Sequence, residues 1–464
     1  MSEDPATRPA NKAAAVTERD LPVTFREVLA VREYRAVLSS LLVNWLGDYL
    51  SKAAVTVLVY QQSESVLWSA TAFAVSFLPW IIGGTVLSAL AERYPYRRVL
   101  ITSDVARMIP TALLLLPQVP VWLMLVLVFL ASLGAPPTQS ARSALLPQVV
   151  GRDKLPTAIV LNQTVGQTAQ VVGYLIGAAV AATISPRLAL GIDVLTFALS
   201  AAFIAKGVLP RPAARARGQR SHLLSESAEG FQVVFGRPTL RAIAVMIFVL
   251  TAFAIVPEGL AAAWAAQGDP GSTVRGLDQG LIMAAGPIGY VIGGIAVGRL
   301  AGPERRDRLI RSLSMLSVAP LILALFAPPA AFVAVLVMAA GFGQGGLVPT
   351  LNGKFVLILP HGYRARAFGV MQGGTQLCQF AGVMITGLLA DRFFLPLVVG
   401  LWSIGGAVVM GWLAASWPSR RQFRLALERA VAESEPAAPA PAGPALAPRV
   451  APPVATTSVT PKRS

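Results

Sequence analysis

Twelve apolar runs of about 20 residues each divide this chain, and that length leaves few structural options. A core helix of a soluble domain needs only about 12 residues, whereas about 20 apolar residues cross a bilayer. The runs lie near 36–60, 66–91, 99–117, 120–143, 157–184, 187–209, 241–265, 277–301, 309–327, 330–358, 366–390 and 395–417. Backbone facing lipid must satisfy its hydrogen bonds within its own segment, so each run is read as a helix. Only 13% of residues are charged, against roughly 25% in a soluble domain.

The net charge of +16 could suggest a nucleic-acid partner, but its distribution argues against one. With the N-terminus inside, one side of the membrane collects Arg26, Arg32, Arg35, Arg93, Arg97, Arg98, Arg152, Lys154, Arg364 and Arg366. The 211–220, 305–311 and 420–429 arginines fall on the same side, while the other side receives only Arg187, Arg275 and Arg392. This is the positive-inside pattern. It predicts a multi-pass protein of the plasma membrane with both termini cytoplasmic. The first 21 or so residues are polar and show no cleavable signal pattern.

Several chemistries are not expected. Cys378 is alone, and His222 and His361 lie in predicted loops, so no disulfide or metal cluster is anticipated. No nucleophile–base constellation and no phosphate-loop lysine motif appears, so neither an enzyme nor an ATP-driven pump is expected. Gly341-Phe342-Gly343-Gln344-Gly345-Gly346 mimics a phosphate-binding loop but lies inside an apolar run, where kinking and close packing are the expected roles. No cofactor is expected.

The chain repeats itself. Gln163, Gln167, Gln170 and Gly173 recur as Gln372, Gln376, Gln379 and Gly382, 209 residues later. Tyr34-Arg35-Ala36-Val37 and Leu240-Arg241-Ala242-Ile243 open the first and seventh runs at an offset of 206. Pro137-Thr138 with Arg142 matches Pro349-Thr350 with Lys354. Two halves of six helices follow, with expected bounds 35–209 and 240–417. A cytoplasmic tail of residues 1–34 precedes them, a cytoplasmic loop of residues 210–239 joins them, and a tail of residues 418–464 follows. The tail's Ala/Pro-rich composition predicts disorder.

The stretch Ser88-Ala89-Leu90-Ala91-Glu92-Arg93-Tyr94-Pro95-Tyr96-Arg97-Arg98 resembles the Gly-x-x-x-Asp-Arg-x-Gly-Arg-Arg signature of the major facilitator superfamily. Ser88, Glu92 and Pro95 replace the signature's Gly, Asp and Gly. Gly47-Asp48, Ala144-Leu145-Leu146-Pro147, Asp193-Val194-Leu195-Thr196-Phe197 and Arg364-Ala365-Arg366-Ala367-Phe368-Gly369 are similar to the enterobactin-exporter and macrolide-efflux branch. The resemblance covers about residues 25 to 417. It implies an all-α integral membrane protein of twelve transmembrane helices in two pseudo-symmetric six-helix bundles, with the first, fourth, seventh and tenth helices lining a central cavity. The exporter stretch ending Gly-Pro-x-x-Gly-Gly is represented only by Gly173-Tyr174-Leu175-Ile176-Gly177-Ala178.

An ionised side chain at the centre of a spanning helix costs about 2.5–3.5 kcal/mol on insertion scales, so each needs a reason. Asn44, Asp48 and Lys52 are spaced by four and share one helix face. Lys52 and Glu258 are counterparts in the repeat with opposite charge, and an ion pair between the halves is expected, with Asp48 competing for Lys52. Asp48 is the candidate proton-coupling group; a structural carboxylate neutralising Lys52 is the alternative. The expected substrate and proton pathway comprises Asn44, Asp48, Lys52, Glu258, Trp45 and Trp264. A conformational latch is expected from Glu92, Arg93, Arg97, Asp104, Arg107 and Arg142. Asp193 and the repeated glutamines are expected to make structural bonds.

The resulting expectation is a monomeric secondary transporter that exports a small organic molecule (drug, siderophore or secondary metabolite) by alternating access with proton antiport. An uptake permease of the same fold and a non-transporting scaffold or receptor are the alternatives.

Overall fold

The computed structural model describes residues 23–81, 93–212, 223–267, 274–360 and 363–432. The Ala/Pro-rich stretch, Glu92, His222, His361 and the remainder of the second apolar run lie outside them, so the expectations made for them are not addressed by it. The described residues form helices and no strand. In order they are α1 (Phe25–Leu29), α2 (Arg32–Ser63), α3 (Val66–Ala74), α4 (Tyr96–Leu113), α5 (Val121–Ser132), α6 (Ala135–Thr183), α7 (Pro186–Gly207) and α8 (Leu223–Gly236). Then come α9 (Pro238–Ala254), α10 (Val256–Ala266), α11 (Val274–Leu300), α12 (Pro303–Leu316), α13 (Ala330–Ile358), α14 (Arg364–Ala390), α15 (Leu395–Ala415) and α16 (Arg420–Ala432).

The apolar runs correspond to helix as far as they are described; the second is described only to Ile81, and the ninth continues beyond α12 as a 3-10 helix over Ala319–Phe326. Eight segments among the described residues are long and apolar enough to cross a membrane. Helices α2, α4 and α14 are of spanning length but more polar, carrying Asn44, Asp48 and Lys52, then Asp104 and Arg107, then Gln372, Gln376 and Gln379. Two spans run together in α6, where Gly151 adopts φ 76° and breaks the helix between Val121–Gly151 and Asp153–Thr183. A side chain rarely tolerates that left-handed conformation, so the turn depends on glycine.

The span Pro238–Ala266 is interrupted at Ile255. Pro257 has no N–H to return to the preceding turn. The ladder tightens around the gap, with Glu258 N and Gly259 N both donating to the Ile255 carbonyl at 3.1 and 3.2 Å. The break thus presents Glu258 at the first turn of α10.

The sequence repeat is also a packing repeat. A Cβ at Gly173 would press on the Leu46 carbonyl of α2, and one at Gly382 on the Ala252 carbonyl of α9. Leu46 and Ala252 are 206 residues apart, the offset already seen between the first and seventh runs. Both halves therefore seat the same glycine against the same place on their leading helix, a close approach that small residues permit.

Contacts between the halves gather at the end remote from α1. Ser65 Oγ donates to Asp391 Oδ1 at 2.6 Å, and Leu67 N donates to the same oxygen at 3.3 Å. Gln279 Nε2 donates to the Ala53 carbonyl and Thr56 Oγ1 at 3.0 and 3.1 Å. The buried apolar cluster holding Phe73, Tyr174, Trp264 and Val383 draws on both halves. Nearer the chain ends, the clusters around Leu145 and around Leu347 each stay within one half.

Candidate functional site

Where the two halves meet, a cavity of about 150 Å³ is lined by Gln167 and Gln170 of α6, Thr251 of α9, Glu258 of α10, Tyr290 of α11, Gln344 of α13 and Gln379 of α14. Glu258 reaches it from the interrupted span, and Tyr174 of α6 donates its hydroxyl to Glu258 Oε2 at 3.0 Å across the seam. Close packing of α11 on α13, with Gly341 against the Gly286 backbone, brings Tyr290 and Gln344 to the same wall. A carboxylate, amides and hydroxyls on otherwise apolar walls suit an amphiphile carrying a cation or several donors.

A second polar centre lies within the N-terminal half. Asp48 pairs with Arg107 Nη2 of α4. Asn44 donates to Asp104 Oδ1 at 2.9 Å and accepts from Arg107 Nη1 at 3.3 Å. Ser200 Oγ donates to Asp104 Oδ2 at 2.6 Å, and Arg107 Nε to the Ala131 carbonyl at 3.0 Å. The Arg107 guanidinium stacks on Phe197, 4.5 Å from the ring centroid. Arg142 is buried beside this network, with Nε and Nη2 unpartnered. A cavity of about 100 Å³ touches Asp48, Lys52, Arg107 and Asp193.

The expected pathway residues therefore divide. Asn44 and Asp48 join Asp104 and Arg107 rather than the cavity between the halves. The ion-pair partner of Asp48 is Arg107, from a helix 59 residues further on, rather than Lys52. The direct Lys52–Glu258 pair is not formed. Lys52 Nζ instead lies over the rings of Tyr49, Phe77 and Phe73 at 5.3, 5.7 and 5.9 Å, where cation–π attraction offsets part of its desolvation. Tyr49 packs edge-on against Tyr174 at 5.1 Å, and Tyr174 holds Glu258, so two tyrosines intervene between the charges. Trp45 covers Gly166 and Trp264 is only 7% exposed in the core, so neither lines the Glu258 cavity.

The expected latch also divides. Asp104 and Arg107 are at its centre with Arg142 alongside. Arg97 Nη2 donates to the Ala205 carbonyl at 2.6 Å, and Arg93 is exposed in a turn. Asp193 accepts from Thr196 Oγ1 at 3.0 Å, the structural bond expected of it. The repeated glutamines divide. Gln167, Gln170 and Gln379 line the cavity, while Gln163 and Gln372 are exposed. Pro257 beside Glu258 was the available sequence signal for a broken helix at the site; the convergence of Tyr290 and Gln344 had none.

Comparison with known proteins is consistent across sequence and fold. A family model described as Major Facilitator Superfamily matches residues 37–383 and 260–457. The multidrug efflux pump Tap of Mycolicibacterium fortuitum is 25% identical over 403 residues, covering 84% of this chain and 97% of Tap. Macrolide efflux protein A of Streptococcus pyogenes is 22% identical over 369 residues, covering 75% of this chain and 88% of that protein. Among solved structures, a mutant form of the nucleoside transporter NupG superposes with a TM-score of 0.67 at 15% identity, covering 83% of this chain and all of NupG. An inward-facing bacterial homologue of the lysosomal transporter Spinster gives 0.64 at 13% identity, covering 88% and 99%.

Proposed function

The chain belongs to the major facilitator superfamily, and on that footing we propose that it exports cationic amphiphiles from the cell in exchange for protons. It is a multi-pass membrane transporter of small molecules, akin to efflux proteins. One observation carries this reading above all: Glu258 faces the cavity between the halves with a tyrosine hydroxyl, and no cation among the described residues, as its bonded partner. An arriving ammonium group would gain a charge-assisted bond there, while the surrounding glutamines and Tyr290 accept and donate to the polar rim of the ligand.

Residues 35–209 and 240–417 act as the two moving halves of a monomer in the plasma membrane, with both termini cytoplasmic. The seam closed at Asp391 and Gln279 then faces outward, and the cavity loads from the cytoplasm. Proton coupling is assigned to Asp48. Protonation would release it from Arg107, and the freed guanidinium would draw on Asp104 and Asn44, shifting α4 against α2. The ligand and proton centres are separate, linked through α2 and Tyr49.

The test is flux. Reconstituted protein facing an imposed pH gradient should concentrate a cationic macrolide or ethidium, and a protonophore should abolish the accumulation. Equilibration without accumulation, unchanged by the protonophore, would refute antiport.

A further inference from the structure

A cavity of about 740 Å³ lies away from the Glu258 site, at the end of the molecule nearest the chain ends. It is bounded by the first turns of α9, the last turn of α13, the last turns of α15, and α16. Its lining combines two chemistries. Arg241 and Arg429 contribute guanidinium groups that make no ion pair among the described residues. Val245, Ile358, Trp412 and Leu425 contribute apolar surface, with Trp412 68% and Leu425 44% exposed.

The wall supplied by α16 is held in place. Ser419 N donates to Gln422 Oε1 at 2.7 Å and Gln422 N returns to Ser419 Oγ at 3.3 Å, a capping box that fixes where the helix starts. Phe423 then packs on Trp417 with ring centroids 5.6 Å apart and lies under Lys354 Nζ at 4.7 Å. Gln422, Leu425, Ala426 and Arg429, at helical spacing, face the cavity. The helix is amphipathic and begins within a few residues of the last span, where an interfacial helix belongs.

We propose that this cavity binds an anionic glycerophospholipid of the leaflet nearest the termini, its phosphate between Arg241 and Arg429 and its upper acyl chain along Val245, Trp412 and Leu425. A free inorganic anion would meet the arginines but leave that apolar wall wet. A zwitterionic lipid would match the wall but bring no net charge to the two guanidiniums. An anionic lipid satisfies both, and the volume is ample for a headgroup with the first chain methylenes. Basic pockets between spanning helices at this depth recognise such headgroups. Arg241 is on the span that carries Glu258, 17 residues before it. The bound lipid therefore braces the start of the interrupted span that carries Glu258, and, on the function proposed above, leaflet composition becomes an input to transport.

Full-length protein in a neutral detergent is titrated with phosphatidylglycerol or phosphatidylcholine of matched chains, and bound lipid is read by native mass spectrometry. Phosphatidylglycerol should be retained preferentially, and Arg241→Gln/Arg429→Gln should weaken it about 25-fold, from about 1 kcal/mol for each arginine. Trp412→Ala, which keeps both charges, should weaken it less. Equal retention of the two lipids, or of phosphatidylglycerol by wild type and the double variant, would overturn the proposal. So would displacement of the lipid by millimolar inorganic phosphate, which would make this an anion site. Tighter lipid binding after truncation at residue 432 would assign the groove to the chain's own C-terminal segment instead. A double variant that fails to fold is replaced by Arg241→Lys/Arg429→Lys, in which lipid preference should persist with reduced affinity; loss of the preference would count against the proposal.

Discussion

Tyr174 donates its hydroxyl to Glu258 at 3.0 Å, joining α6 of the N-terminal half to α10 of the C-terminal half beside the cavity between them. The bond occupies the carboxylate that a cationic ligand would seek. It also joins the two halves beside that cavity, so a ligand that took up the carboxylate as proposed would compete with a contact between the halves.

Tyr174→Phe removes this donor and leaves Glu258 short of a partner. A hydrogen bond to a charged group contributes about 1.5–3 kcal/mol, so the unliganded variant should melt earlier. A bound cationic substrate would restore part of the loss. The stabilisation on adding ligand, measured by thermal shift, should therefore be larger in the variant than in wild type. Equal shifts would mean that ligand does not reach Glu258.

The Asp48–Arg107 pair should behave as a buried pair with a partly wet edge, since the two side chains are 22% and 7% exposed. Removing one partner of a buried pair costs about 3–5 kcal/mol, and exposure of Asp48 places Asp48→Asn at the lower end. Arg107→Met should cost more, because it also removes the donors to Asn44 Oδ1 and the Ala131 carbonyl. The double variant should be more stable than the sum of the singles implies, as chemical denaturation in micelles would report. Additive losses would argue against direct coupling. If Asp48 carries the proton, transport by Asp48→Asn should lose its dependence on the pH gradient.

The two copies of the packing glycine should fail alike. A Cβ at Gly173 or Gly382 meets a helix carbonyl of α2 or α9 with nowhere to move. Overpacking of this kind costs about 1–3 kcal/mol, so Gly173→Ala and Gly382→Ala should each lower the melting temperature by similar amounts. Gly405→Ala on α15 has open space around it and should be neutral or stabilising, because alanine is the better helix former. A stable Gly382→Ala beside an unstable Gly173→Ala would break the equivalence of the halves.

Below neutral pH, one ion pair outside the membrane gives a signed expectation. Glu33, ahead of the first apolar run, accepts from Arg211, with Nη2 to Oε2 at 2.7 Å, and from Leu209 N at 3.1 Å. These bonds, Arg211's first, hold its carboxyl below the ordinary 4.5. A depressed folded value means that the stabilisation is complete above about pH 4.5 and drains away as pH falls through the lower folded value. The melting-temperature gap between wild type and Glu33→Gln should therefore stay level from pH 7 to about pH 5 and narrow in more acid buffer. A gap that widens there would reverse the assignment.

At the seam, Asp391 accepts from both Ser65 Oγ and Leu67 N, at the start of α3. Asp391→Ala removes this contact between the halves, which alternating access as proposed would have to break. A cysteine placed at Thr56 should then react faster with a membrane-impermeant thiol reagent. Unchanged labelling would mean that apolar packing around Phe73 and Val383 holds the seam by itself.

Much of the fold could be read from sequence because a bilayer simplifies the code: apolar length marks the spans, and duplication pairs them. The repeat pairs Gly173 with Gly382, and the structure seats both on matching places of α2 and α9. The site was less legible because its partners come from distant helices. Spacing by four grouped Asn44, Asp48 and Lys52 on one face, yet a turn of helix separates what each one meets. Asp48 faces Arg107, while Lys52, one turn on, faces Tyr49, Phe73 and Phe77. Opposite charge at repeat-related positions points to a Lys52–Glu258 pair, but the two are connected through Tyr49 and Tyr174 rather than paired directly. For the duplicated glutamines the sequence allows both bonds between helices and substrate contact, and only the fold shows that Gln167, Gln170 and Gln379 line the cavity.

The account stands or falls on Glu258 as the recognition point for cationic substrate. The most direct measurement is initial transport of a cationic dye by Glu258→Gln in proteoliposomes, beside a neutral amphiphile of similar size and with folding checked by gel filtration. The account predicts that export of the cation falls by at least ten-fold while the neutral compound is moved at close to the wild-type rate. Undiminished export of the cation by a folded Glu258→Gln protein would contradict it.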